Sequence, residues 1–254
     1  DGPSSKIELG DPPQLRFTNA FTIEGWINPL LSTNAARCPT EQIFFRGYPE
    51  PFDCSGLGDP YWLALESSTN LTGLDIHFHI ADAHTGSLGA DVLTTNGAIQ
   101  FSAGTNFNGG TNFTSGTNNT WWHIAAVFDK PFTAGTVVSN ATNVVTLTTN
   151  SMRLYLNGVC IASNSTTLAP FQDLDPALSP GVTIGNRCRY DSTQPFAGFM
   201  DELTVYARAL TDPEIAAIAA AGTAGKADPS VPPTQSLAKL SVAVDGVQLG
   251  VGYG

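Results

Sequence analysis

With 254 residues, 42% of them apolar and only 13% charged, the chain can bury a substantial core, and its plentiful Gly, Thr, Asn and Ser suit many turns and surface loops. The net charge of −11 comes from scattered acids, which argues against nucleic acid as a partner because its phosphates would be repelled. There is no initiator Met, no signal peptide and no apolar run near the roughly 18 residues of a membrane span. The chain therefore reads as a soluble mature form, a processed product or a piece of a longer protein, with no membrane insertion.

In chain order, Lys6-Ile7-Glu8-Leu9 is a short strand ended by Asp11-Pro12-Pro13. Phe21 to Pro29 follows as a strand with Phe21, Ile23 and Ile27 on one face and Thr22, Glu24 and Trp26 on the other. Gln42 to Gly47 predicts a further strand, and Tyr61 to Glu66 with Leu74 to Ile80 predicts a hairpin in which Ile76, Phe78 and Ile80 oppose Asp75, His77 and His79. Ser102 to Thr120 carries a short repeat of period six (Gly104-Thr105-Asn106-Phe107, Gly110-Thr111-Asn112-Phe113, Gly116-Thr117-Asn118). Three copies are too few for a solenoid, so a long surface loop is expected.

Trp121 to Asp129 is apolar on both faces, which predicts an internal strand covered on both sides. After an insert at Thr133 to Thr149, whose Asn143 to Thr148 portion suits an extra edge strand, Met152 to Asn157 alternates cleanly and Asn157-Gly158 predicts a type I′ hairpin turn. Strands are also expected at Val159 to Ala162, Val182 to Gly185 and Phe199 to Tyr206. The one helix is Asp212 to Ala221, with Thr211 and Glu214 as a capping box and Gly222 as its stop. Residues 223–236 read as an Ala, Gly and Pro linker, and residues 237–254 as an apolar strand or hairpin too small to fold alone.

Four cysteines, none in a CxxC, favour two disulfides over zinc chemistry. Three connectivities are open; pairing Cys38 with Cys54 and Cys160 with Cys188 brackets one loop each. Sequons at Asn70, Asn112, Asn118, Asn140 and Asn164 suit an exported chain, extracellular or at a cell surface, that carries glycans. His77 and His79 read as a polar pair on a sheet face; the alternative is zinc, with His84, Asp75 or His123 as a third ligand.

Taken together, Phe21 to Ile27, Trp122 to Asp129, Leu154-Tyr155-Leu156-Asn157-Gly158, Ile184-Gly185, Gly198 to Tyr206, Ala209-Leu210-Thr211 and Glu214-Ile215 resemble the successive signatures of the laminin G-like, concanavalin A-like jelly roll, over roughly residues 1–222. The resemblance implies an all-β fold: two antiparallel sheets packed face to face, with one short C-terminal helix and an extra C-terminal strand. It also implies a strand ahead of Asp1-Gly2. Two readings are open for the leftover segment Leu237 to Val251: it fills that slot, in the same molecule or by exchange with a neighbour in self-assembly, or it begins a next module.

Members of this family include enzymes and binders. The Glu-x-Asp-x-Glu strand of its retaining glucanases, whose acids stand about 5 Å apart, is missing from the sequence, so no catalysis is expected. The resemblance points instead to a module for glycan binding or adhesion, with a structural subunit of a surface or matrix polymer as the alternative. Aromatic and polar side chains suited to sugars are Trp26, Trp62, Phe107, Phe113, Arg153 and Tyr155, with a place in the core as the competing reading for Trp26, Trp62 and Tyr155. An acid at the place of Asp201 often holds structural Ca²⁺ in similar jelly rolls, together with carbonyls of the N-terminal turn.

Overall fold

The computed structural model describes residues 6–29, 40–48, 58–68, 73–83, 88–100, 121–130, 149–187 and 194–222, and the backbone alone of residues 137–140, 143–146, 239–242 and 250–252. Its strands are β1 (Ile7–Gly10), β2 (Phe21–Pro29), β3 (Thr40–Gly47), β4 (Tyr61–Ser67), β5 (Gly73–Ala81), β6 (Gly89–Leu93), β7 (Ile99–Gln100) and β8 (Trp122–Asp129). They continue with β9 (Val137–Asn140), β10 (Asn143–Thr146), β11 (Asn150–Leu156), β12 (Val159–Thr166), β13 (Gly181–Ile184), β14 (Gly198–Tyr206), β15 (Lys239–Val242) and β16 (Gly250–Gly252). One helix, α1 (Asp212–Ala221), lies between β14 and β15.

The strands form two large antiparallel sheets. Sheet I runs β1-β13-β3-β4-β5-β6, with β7 also paired to β5, and sheet II runs β12-β11-β8-β2-β14-β15-β16. The expected edge strand at Asn143 does form, but β10 pairs only with β9, apart from both sheets. The inward faces meet in one apolar core that includes Phe21, Ile23 and Ile27 of β2, Leu63 and Leu65 of β4, Ile76, Phe78 and Ile80 of β5, and Ile124, Ala126 and Phe128 of β8. Period-two alternation creates these faces, and burying each large side chain contributes about 1.5–3 kcal/mol.

The double-sided apolarity of β8 has a direct cause. Its second face, Ala125 and Val127, packs with Tyr155, Tyr206, Leu210 and Ile215 in a smaller core beneath α1. The helix is fixed at its start: Thr211 N and Oγ1 both donate to Glu214 Oε2, at 2.8 and 2.9 Å, and Arg208 clamps the same carboxylate. The turn between β11 and β12 has Asn157 at φ 49° and Gly158 at φ 83°, as the type I′ reading requires.

At one end of the sandwich, the fully buried Arg46 reaches Asp11 Oδ1 at 2.9 Å and the Gln172 carbonyl at 2.6 Å. A buried guanidinium needs such partners, and here it ties the first loop to the segment before β13. At the far edge of sheet II, β15 pairs with β14 through Leu203↔Val242, Thr204↔Ser241 and Val205↔Leu240. The C-terminal segment thus occupies a sheet edge of its own chain.

The expected Cys160–Cys188 pairing does not hold for Cys160, which is an exposed free thiol on β12. Cys160 stands on sheet II near Asp212, whereas Arg187, the residue before Cys188, reaches Asp59 and the Phe45 ring on sheet I. Cys38, Cys54 and Cys188 lie outside the described residues.

Candidate ligand-binding site

Because Leu63, Leu65, Ile76, Phe78, Ala90 and Val92 point into the core, the alternate residues of β4, β5 and β6 point outward from sheet I. Register then aligns them. Thr183, Phe45, Trp62, His79 and Asp91 are consecutive cross-strand partners, forming one row across β13, β3, β4, β5 and β6. Ala64, His77 and Leu93 form the row beside it.

Within this face the polar side chains are linked in a chain. Glu66 Oε1 lies 2.6 Å from His77 Nδ1, Asp91 Oδ1 lies 2.8 Å from His77 Nε2, and the same Asp91 oxygen lies 2.7 Å from His79 Nδ1. The Trp62 ring stacks on His79 at 5.0 Å and meets His77 edge-on at 4.5 Å. His79 in turn lies over Gly89, where an added Cβ would stand 2.7 Å from its Cε1. Glycine at that position admits the imidazole.

Burial alone would lower the His77 pKa, but its hydrogen bonds to Asp91 and Glu66 and the charge of both acids raise it to about 9. At neutral pH it is an imidazolium. Burial pushes Asp91 the other way, yet the hydrogen bonds from His77 and His79 hold its carboxyl well below the usual carboxylate range. Asp91 is also the most open of the group, its side chain 48% exposed against 29% for Glu66, 20% for His79 and 15% for His77.

The other end of the row is closed. Phe45 is fully buried, with the Arg187 guanidinium 5.0 Å over its ring, and Gln42 is joined to Gln194 through both backbone and side chain. The accessible part therefore spans Trp62 to Asp91. From sheet II, Asn164 Nδ2 on β12 donates to the Asp91 carbonyl at 2.7 Å and braces the rim.

Of the side chains expected to meet a ligand, Trp62 belongs to this face. Tyr155 does not: it is fully buried in the core beneath α1 and its hydroxyl donates to Asp212 at 2.6 Å, while Arg153 bonds the same carboxylate at 2.8 Å. Both tie the start of the helix to sheet II; Tyr155 is closed to a ligand there, while Arg153 keeps part of its side chain exposed. Trp26 lies on the outer face of sheet II, edge-on to His123, which pairs with the buried Glu24. Phe107 and Phe113 lie outside the described residues, as do Asn70, Asn112, Asn118 and His84.

Asp201 is exposed on β14 and its Oδ1 accepts from the Glu202 amide. Among the described residues no group of three His, Cys, Asp or Glu side chains is arranged to hold a metal ion. The N-terminal turn that would complete a calcium site lies outside them. For zinc, both nitrogens of His77 and Nδ1 of His79 are committed to carboxylates, and Asp75 accepts from Thr94, Gly97 and Ala98.

Glu66 and Asp91 did not stand out in the sequence. Glu66 was visible as the outward neighbour of Leu65, but the strand holding Asp91 is short and has no β-branched run.

A two-sheet jelly roll with a polar and aromatic outer face is the architecture of a lectin-like domain. Residues 1–216 match the concanavalin A-like lectin/glucanases superfamily, and the chain belongs to it. Among solved structures it is similar to a candidate carbohydrate-binding protein of Bacteroides ovatus, with TM-score 0.53 and 20% identity over 97% of this chain and 52% of that one. The chain thus spans about half the length of that protein. It is also similar to the Ruminococcus gnavus sialidase module CBM40 bound to sialyllactose (TM-score 0.47, 14% identity, 85% of this chain and 96% of that one). A third similar structure is a heptameric pentraxin of Limulus polyphemus (TM-score 0.45, 15% identity, 99% and 97%). No curated protein sequence matches the chain significantly.

Proposed function

We propose that the chain is a non-catalytic carbohydrate-binding module whose site is the outer face of sheet I around Trp62, His77, His79, Asp91 and Glu66. The observation that carries this reading is the row in which a partly exposed tryptophan is followed by polar groups locked in place by one another. Sugars bind to such surfaces through an apolar ring face and hydroxyl hydrogen bonds, and the locked side chains have little freedom left to lose. The Bacteroides ovatus protein, which shares the fold, supports the same class of ligand.

Binding is favoured over hydrolysis because the sequence carries no Glu-x-Asp-x-Glu strand of the kind the family's retaining glucanases use. A glycan array probed with the chain and with Trp62→Ala tests the reading. Binding that the substitution abolishes supports it, and an array blank for the unsubstituted chain removes it.

A second reading, assembly or adhesion in a surface or matrix polymer, draws support from the position of β15. The edge of β14 takes a strand from the far end of the chain, and the same contact made between copies would link them. Thr204 and Ser241 are opposite partners. Mixing Thr204→Cys chains with Ser241→Cys chains, both with Cys160→Ser, gives covalent dimers under oxidation if the strand is exchanged and none if it stays at home.

An extracellular or cell-surface location belongs to either reading and draws on the sequons, of which Asn164 is exposed on β12. Calcium at Asp201 is a separate proposal, and melting that ignores a chelator would remove it.

A further inference from the structure

The hydrogen-bonding valences of the site can be counted one by one. An imidazolium has two N–H groups, and His77 spends both, one on Glu66 and one on Asp91. His79 Nδ1 donates to the same Asp91 oxygen at 2.7 Å. Asp91 Oδ1 is shared by both histidines, and Asp91 Oδ2 and Glu66 Oε2 have no partner among the described residues. Both N–H groups of His77 and the Nδ1–H of His79 are therefore spent internally, and the Trp62 indole N–H and the second amide hydrogen of Asn164 are the donors left nearby. What faces solvent is a set of acceptors beside an aromatic ring.

Charge points the same way. Asp91, the most open side chain of the cluster, brings a carboxylate to the surface of a chain whose net charge is −11. A carboxylate, sulfate or phosphate on a ligand would meet the outer oxygens of Asp91 and Glu66 and an unfavourable potential, with few donors beyond the Trp62 indole N–H to offset them. It would also lose its own hydration on approach.

Resting on the carbohydrate-binding reading above, we infer that this site takes glycan units that present hydrogens, the hydroxyls of neutral sugars or the ammonium of amino sugars, and rejects acidic glycans. Vicinal hydroxyls donate to the outer oxygens of Asp91 and Glu66, while the exposed part of Trp62 supplies apolar contact. His77 does not touch the ligand in this arrangement. It is a positioning residue that fixes both carboxylates with their free oxygens outward.

The experiment is calorimetric titration of the full chain with three probes: neutral hexose oligosaccharides, glucosamine oligomers, and sialylated or uronate-containing counterparts of matched length. The inference expects the neutral or amino sugars to bind at least tenfold more tightly than the acidic ones, with added salt narrowing the gap. Asp91→Asn and Glu66→Gln, which place an amide donor where an acceptor stood, should narrow it too while weakening neutral-sugar binding. Acidic sugars that bind as well as neutral ones, in a manner abolished by Trp62→Ala, would overturn the ligand class and leave the binding site standing. No binding of any probe, or binding indifferent to Trp62→Ala, would overturn the site itself.

Discussion

His77 and Asp91, on neighbouring strands, are joined by a 2.8 Å contact between Nε2 and Oδ1, and the same imidazole holds Glu66 through its other nitrogen. The folded-state pKa of His77 is raised to about 9 from an ordinary value near 6.5, so its contribution to stability is complete below that ordinary value. It is lost as pH rises through about 9. The magnitude is on the order of 2–3 kcal/mol. Melting curves of the unsubstituted chain and His77→Gln should differ most near pH 6 and converge by pH 10; parallel profiles would deny the imidazolium its role.

Gly89→Ala tests whether the stack of His79 on Trp62 matters. The backbone there permits alanine, but its Cβ would stand 2.7 Å from His79 Cε1, so the ring must move. The expected outcome is a fold kept within about 1 kcal/mol, a shifted tryptophan emission spectrum and glycan affinity reduced several-fold. An unchanged spectrum with unchanged affinity would show that His79 is free to sit elsewhere.

Tyr155→Phe separates helix docking from recognition. It removes the hydroxyl that donates to Asp212 in a buried setting and should cost about 1 kcal/mol in denaturant unfolding. Glycan binding should not change, since the residue lies beneath α1 and away from sheet I. Lost binding at full stability would restore Tyr155 as a ligand contact.

Arg46→Met should be the most damaging of these substitutions. It leaves the Gln172 carbonyl without its donor and the Asp11 carboxylate with Arg16 alone, so the loss should fall near the lower end of the about 3–5 kcal/mol of a broken buried pair. Adding Asp11→Asn should recover part of it. Additive losses in the double variant would show that the pair is not coupled.

Much of the fold was legible in the sequence because alternation is a strong signal where one face is buried. β2, β5, β11 and β14 fell where expected, and α1 was bounded by its capping box and Gly222. β8 announced by its two apolar faces that something would cover the second. What that cover would be was hidden, and so Tyr155, outward by period, stood among the candidate ligand contacts although it packs beneath α1. β6 was missed because Gly89-Ala90-Asp91 has little strand propensity of its own and is held by its partner β5. With it went Asp91, the acid on which the candidate site turns. The histidine pair was visible, but a row such as Phe45, Trp62, His79 and Asp91 exists only in register, which joins residues far apart in the chain.

The place of β2 between β8 and β14 has a cost in time. Glu24 finds His123 across 99 residues, and the Leu210 amide finds Thr22 across 188. A strand made early in synthesis must therefore wait with one edge unpaired until the last quarter of the chain arrives. Long-range pairing of this kind slows folding and leaves sticky edges open meanwhile. During synthesis, then, the chain is most exposed to misassembly just before β14 closes the centre of sheet II.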